Sequence, residues 1–247
     1  PRMKKLLLAI AGTCIAASAT AQDDPKPFTM DGEFGLIVTT GNTETSSATA
    51  GITAQQELEN WSNDYQIEGL YKEETVIQEG EEVERTSAQK FFASAQGNYK
   101  LENPAHRLFL FSSYEDDRFS NFAYQATLAG GWSQKMWETE KTAFEYSVGP
   151  GYSWAETQAG VDNDSFIVRG SAAFKWFISD TAKFTQTAST EVGSENTKSR
   201  AESALTATIS GSLSMKVSVR LDHNSNVAEG VEKLDTETAV TLVYNFF

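Results

Sequence analysis

Cysteine is almost missing from this chain of 247 residues. Cys14 is the only one, and it lies in an apolar stretch near the start. A disulfide framework and thiol chemistry are thereby excluded from everything that follows. Histidine is nearly as scarce: His106 and His223 are the two. No histidine-rich metal centre can be built from them. Bases are few, 20 lysines and arginines against 34 acids, for a formal net charge of −14. An acidic chain of this kind argues against nucleic acid as a partner and against adhesion to anionic lipid surfaces. After the first segment there is no run of the roughly 18 apolar residues that a spanning helix needs.

What is present at the start is a different signal. Lys4 and Lys5 precede an apolar run from Leu6 to Ala17, and Ala19-Thr20-Ala21 is a small-residue cleavage site of the A-x-A kind. Residues 1–21 therefore read as a secretory signal peptide, with the mature chain beginning at Gln22. A lipoprotein signal acylated at Cys14 is the weaker alternative, because Thr13 is a poor residue before such a cysteine. Removing residues 1–21 takes away Arg2, Lys4 and Lys5 and no acid, leaving 17 bases against 34 acids.

Alternation with period two dominates the rest. In the final segment, Thr238, Val240, Leu242, Tyr244 and Phe246 form one face, and Glu237, Ala239, Thr241, Val243 and Asn245 the other. One apolar and one polar face define a strand between two different media. Residues 22–30, with Pro25 and Pro27, read as a short periplasmic lead. Residues 31–247 then read as one domain of twelve strands: Gly32–Thr40, Ser46–Leu58, Tyr65–Ile77, Ala88–Leu101, Arg107–Glu115, Phe122–Gln134, Thr142–Trp154, Ser165–Ile178, Lys183–Val192, Ala201–Ile209, Leu213–Val227 and Thr236–Phe247. An even number of such strands in an exported chain predicts an all-β fold, a transmembrane antiparallel up-and-down β-barrel of the bacterial outer membrane. Aromatics crowd the strand ends on the apolar face, as membrane-interface girdles require. The apolar faces would carry Phe91 and Tyr99, then Phe122, Tyr124 and Trp132, then Phe144, Tyr152 and Trp154, then Phe166, Phe174 and Trp176. A soluble β-sandwich would share the period but has no need of these girdles. Pro150, between Gly149 and Gly151, predicts a bulge or kink in its strand.

Four motifs carry a family resemblance. They are Thr40-Gly41-Asn42-Thr43-Glu44-Thr45, Tyr114-Glu115-Asp116-Asp117-Arg118-Phe119, Gly149-Pro150-Gly151-Tyr152, and Leu234-Asp235-Thr236-Glu237 leading to Tyr244-Asn245-Phe246. In this order they resemble the YdiY-like salt-induced outer-membrane protein family, a family of unknown function. The resemblance implies an outer-membrane barrel, with an envelope or salt-stress role following from the family name. Phe247 is an extra residue after the expected terminal Phe246.

One string has a catalytic look. His223-Asn224-Ser225-Asn226 is similar to the His-x-Ser-Asn string of outer-membrane phospholipase A and lipid A deacylases, with histidine as base and serine as nucleophile. Its phase, continued from Met215, Val217, Val219 and Leu221, turns His223 and Ser225 toward lipid, while Glu237, Asp222 and Asn224 point inward. That leaves no orienting third residue. A lipid hydrolase using His223 and Ser225 is therefore kept as the alternative, and no catalytic, cofactor-binding or metal residue is assigned. Acidic clusters at Glu79, Glu81, Glu82 and Glu84, at Glu115, Asp116 and Asp117, and at Asp162 and Asp164 read as a solvated rim. Inward charges are mixed: Glu68, Lys72, Lys100, Glu145, Arg169, Lys175, Glu191, Glu202, Lys216 and Arg220. Opposite charges in a narrow barrel pair and can plug it.

The expected function is a non-enzymatic outer-membrane barrel, with an envelope-stress role or small-solute passage. Its expected partners are outer-membrane lipids and lipopolysaccharide, and the barrel-assembly machinery through the C-terminal strand. No cofactor and no nucleic acid are expected. The processing site is directly testable. Mass spectrometry of the protein purified from outer membranes should give an N-terminus at Gln22, and a lipid-modified Cys14 would reverse the signal assignment.

Overall fold

The computed structural model describes residues 27–39, 45–78, 81–227, 229 and 232–247. The signal segment, Gln22–Lys26 and the Gly41–Glu44 loop lie outside the described residues. Twelve strands follow one another: β1 (Phe28–Thr39), β2 (Thr45–Glu57), β3 (Trp61–Gln78), β4 (Glu81–Lys100), β5 (His106–Asp117), β6 (Phe122–Glu138), β7 (Thr142–Thr157), β8 (Ser165–Ser179), β9 (Ala182–Gly193), β10 (Thr197–Ser210), β11 (Leu213–Asn224) and β12 (Leu234–Asn245). Each is antiparallel to its neighbours in the chain, and β12 pairs with β1 to close the barrel.

The physical reason for this shape lies in the two faces. Phe34, Leu36, Ile67, Leu110, Val148, Val168, Val217 and Leu242 are exposed on the outside, and Phe166 is 82% exposed. In water such a surface would aggregate. In a bilayer it meets the hydrocarbon chains, which is the contact an outward apolar band makes. The inside is inverted. Asn98, Arg107, Glu115, Gln125, Thr127, Arg169 and Thr241 are among its buried side chains. Ring pairs mark the two interfaces. Trp61–Tyr99, Trp137–Phe144 and Tyr244–Phe246 lie at one end, Tyr114–Tyr124 and Tyr152–Phe166 at the other. The first end carries the shorter turns, such as Gly211-Ser212 between β10 and β11, and is therefore the periplasmic side. Gly211 takes φ +52 there, a left-handed conformation that a two-residue turn requires and that glycine adopts without penalty.

The closing seam has its own devices. Asp31 pairs with Asn245, Gly32 with Tyr244, Glu33 with Val243 and Phe34 with Leu242. Asn245 Nδ2 donates to Asp31 Oδ1 at 2.8 Å, and the Phe246 amide donates to the Met30 carbonyl at 2.8 Å. The Phe246 ring lies over Gly32, where a Cβ would come within 2.8 Å of it.

Several expectations are revised. β1 begins at Phe28 rather than Gly32, because Phe28 pairs with Gln56 and the Glu57 amide reaches the Pro27 carbonyl. The acidic Gln78–Thr86 stretch is mostly strand. β3 and β4 run on as a long hairpin to the Gln78–Glu81 pair. Phe122 is 1% exposed, not lipid-facing, since a register shift between Phe122 and Tyr124 turns it out of phase. Pro150 makes no bulge. It sits in register opposite Val168, and the β6–β7 register is the same before and after it. Glycines absorb the local crowding instead. A Cβ on Gly149 would lie 2.2 Å from the Gly130 carbonyl oxygen, and one on Gly131 would lie 2.4 Å from that of Val148.

That crowding predicts a sharp contrast. Gly149→Val should prevent β6 and β7 from approaching and lower the heat-modifiable folded fraction in outer membranes at least fivefold. Gly69→Ala, where an added Cβ meets nothing within 4 Å, should leave it unchanged. Equal yields from both variants would contradict the close approach.

Candidate functional site

Inward-pointing residues of neighbouring strands stack into two charged layers inside the barrel. β11 supplies a member to both, because Lys216, Arg220 and Asp222 lie even numbers of residues apart and share its luminal face. In the upper, extracellular layer Arg200 on β10 binds Asp222 and Glu115, each at 2.5 Å. Lys198 reaches Glu115 at 3.2 Å, and Lys90 on β4 reaches Asp222 at 3.0 Å. The lower layer joins Arg220 to Glu68 at 2.7 Å and to Glu202 at 2.6 Å, and Lys216 to Glu33 at 3.1 Å and Glu202 at 3.0 Å.

The upper layer spans the lumen. β4 and β11 are five strands apart by the shorter way round, as are β5 and β10. Bonds of 2.5–3.2 Å between walls so distant leave no gap at that level for a solute. The charges are held by more than one another. Arg200 lies 4.5 Å over the Phe92 ring, and Arg169, 6% exposed, lies 3.5 Å over the Phe111 ring. Glu191 accepts from Thr127 Oγ1 at 2.8 Å and stands 3.5 Å from Arg169. Phe109 and Phe111, with Ala129, form the apolar patch beneath.

Above this layer the mouth is roofed, and the His223-Asn224-Ser225-Asn226 string is part of the roof. Ser225 Oγ donates to Asn196 Oδ1 at 3.2 Å and accepts from the Thr197 amide at 2.8 Å. Asn196 Nδ2 donates to Asn224 Oδ1 at 2.8 Å, and Asn226 Nδ2 donates to the Glu195 carbonyl at 3.0 Å. Asn121 Nδ2, from the β5–β6 turn, donates across the mouth to the Asn226 carbonyl at 3.4 Å. Among the described residues no hydrogen bond joins His223 to Ser225. His223 stands in the ladder between Ser199 and Leu234. The serine proton is thus engaged by an amide oxygen rather than an imidazole, which is a brace and not a nucleophile–base pair.

Seven of the ten inward charges named from sequence form ion pairs: Glu68, Glu202, Lys216 and Arg220 in the lower layer, Arg169 with Glu191, and Lys100 with Glu57. Sequence reasoning turns Asp222 inward without counting it among the charges of the lumen, misses Lys90, Lys198 and Arg200, and places Glu115 on the rim. Their phase was available: Phe91 and Leu221 face lipid, so Lys90 and Asp222 face the lumen. The partner of each was not. Lys90 and Asp222 stand 132 residues apart. Among the described residues no group of three or more acidic, histidine or cysteine side chains is placed to hold a metal ion.

The brace assignment is checked by two variants. Ser225→Ala and His223→Ala should fold and show no change in liposome lipid composition compared with the wild type, with Ser225→Ala increasing protease nicking of the outer loops. Calcium-dependent fatty-acid release by the wild type, lost in both, would restore the hydrolase.

Comparison with known proteins gives the same architecture. A family model described as "Protein of unknown function, DUF481" matches residues 32–246. "Uncharacterized protein YdiY" of Escherichia coli (strain K12) is 27% identical over 231 residues, which cover 92% of this chain and 88% of that one. Among solved structures, an outer membrane channel from Pseudomonas putida F1 is similar with a TM-score of 0.50 at 9% identity, over 93% of this chain and 100% of that chain. At that identity the likeness is one of fold.

Proposed function

The chain belongs to the DUF481 family, and from that premise we propose that it is a non-enzymatic outer-membrane barrel which passes small hydrophilic solutes when its luminal ion-pair layers part. The observation that carries this reading is the upper layer itself. A barrel needed only as a membrane-embedded support could fill its lumen with apolar or uncharged side chains. Replacing buried ion pairs by well-packed apolar groups is often neutral or stabilising. A charged filling exchanges its partners for water and ions at modest cost, so it can open where an apolar core cannot. The surroundings proposed for the barrel are outer-membrane lipid and lipopolysaccharide, with the assembly machinery engaging β12.

The layers make separable predictions. Glu115→Gln alone should destabilise the barrel by about 3 kcal/mol, because Arg200 and Lys198 would lose the carboxylate they share. Removing whole pairs should cost less and open the lumen. In planar bilayers the refolded wild type should be mostly silent. Arg200→Ala/Glu115→Ala combined with Arg220→Ala/Glu202→Ala should raise the open fraction at least tenfold. If the folded quadruple variant is as silent as the wild type, the passage reading fails. The structural envelope role implied by the family resemblance would then stand in its place.

A further inference from the structure

The extracellular layer and its roof are tied together by ion pairs and hydrogen bonds, and the periplasmic mouth is built differently. There, four half-buried charged side chains face the lumen with no ion pair among the described residues: Asp64 on β3, Glu145 on β7, Lys175 on β8 and Lys183 on β9. Their direction follows from the register. Trp176 stands opposite Phe184 and is exposed on the lipid side, so Lys183, opposite Phe177, takes the luminal side with it. Lys175 is two residues from Phe177 and shares its face. The two lysines are diagonal cross-strand neighbours, roughly 7–8 Å apart.

Glu145 stands opposite Ala173, which makes it the diagonal neighbour of Lys175 on the other side. Asp64, from the facing wall, lies within electrostatic reach of Glu145, Lys175 and Arg107. Lys183 lies within reach of Lys175, Asp31, Lys216 and Glu33. The other charges nearby are already engaged. Glu33 is held by Lys216, and Asp31 by Asn245. Lys100 is held by Glu57, and Arg107 donates to Ser62 and the Pro104 carbonyl. Asp64 accepts only from Gln55, at 3.1 Å. Lys135, opposite Glu145 in the ladder, is held by Glu138 at 2.8 Å, so two cations and two anions are left without an ion pair on this part of the luminal wall, and Phe177, 43% exposed, lies beside them.

We propose that this periplasmic vestibule binds a small zwitterionic solute, its carboxylate against Lys175 and Lys183 and its ammonium against Asp64 and Glu145. A simple anion would meet the two acids, and a simple cation the two lysines. A molecule bearing both charges satisfies both sets, and the like-charge penalties select against the others. Phe177 offers the apolar contact for the carbon chain between the charged ends. As the substrate class of the passage route, this rests on the function proposed above, but binding can be measured on the closed barrel.

The probes are 5-aminopentanoate, pentanoate and pentylamine, titrated calorimetrically into refolded protein in a non-ionic maltoside. The aminopentanoate should bind at least tenfold more tightly than either singly charged probe. Lys175→Met/Lys183→Met and, separately, Asp64→Asn/Glu145→Gln should each weaken it at least tenfold, with heat-modifiability confirming that both variants fold. Equal affinity for pentanoate, unchanged affinity in the folded variants, or no binding by the wild type would each overturn the proposal. Binding with a silent quadruple variant would leave this site standing and remove the passage reading alone.

Discussion

Everything in this molecule depends on satisfying backbone hydrogen bonds where no water is present. In hydrocarbon each unpaired peptide group costs several kcal/mol, so a sheet can cross only if it has no edge. The β1–β12 seam supplies that closure with four paired positions, fewer than any other seam among the described residues. It is reinforced by the Asn245–Asp31 bond and by the Phe246 ring lying over Gly32. Once closure is imposed, the strands have two environments and no third. Alternation then decides the rest: apolar side chains go to lipid, and charged ones go into a lumen too narrow to leave them all in bulk water.

That confinement explains why the interior is charged rather than merely polar. Twelve strands enclose more space than an eight-stranded barrel and less than a porin. Long side chains such as Arg200 and Lys90 can reach the opposite wall and meet carboxylates there. Each added partner offsets part of the desolvation cost of the others, so charges accumulate in layers rather than as isolated pairs. The same logic separates the two halves. Where both walls carry reachable opposite charges, the lumen is bridged. Near the periplasmic mouth Lys175, Lys183, Asp64 and Glu145 are close enough to influence one another and too far apart to pair.

Much of the fold was legible because its code is local. All twelve strands, and most of the lipid and lumen faces, follow from period two. The failures share a cause. A strict alternation count sends Phe122 to lipid, because a one-residue register shift is invisible to it. The pattern shortens the β3–β4 hairpin, because its glutamates mimic a loop. Arg200 falls in a polar stretch that reads as a loop, whereas β10 already begins at Thr197. Pro150 suggested a bulge, yet it holds register because glycines around it let the strands close up.

The sequence by itself determined strand number, the medium each face meets, and the compartment, because these depend on the order of residues within a few positions of each other. Only the tertiary structure decided that Arg200 meets Glu115, that Lys90 meets Asp222, and that the His223–Asn226 string braces a roof instead of forming a nucleophile–base pair. Those outcomes depend on the register between strands and on the curvature of the closed sheet. Both are set by closure of the whole barrel, so no segment of the chain carries them alone.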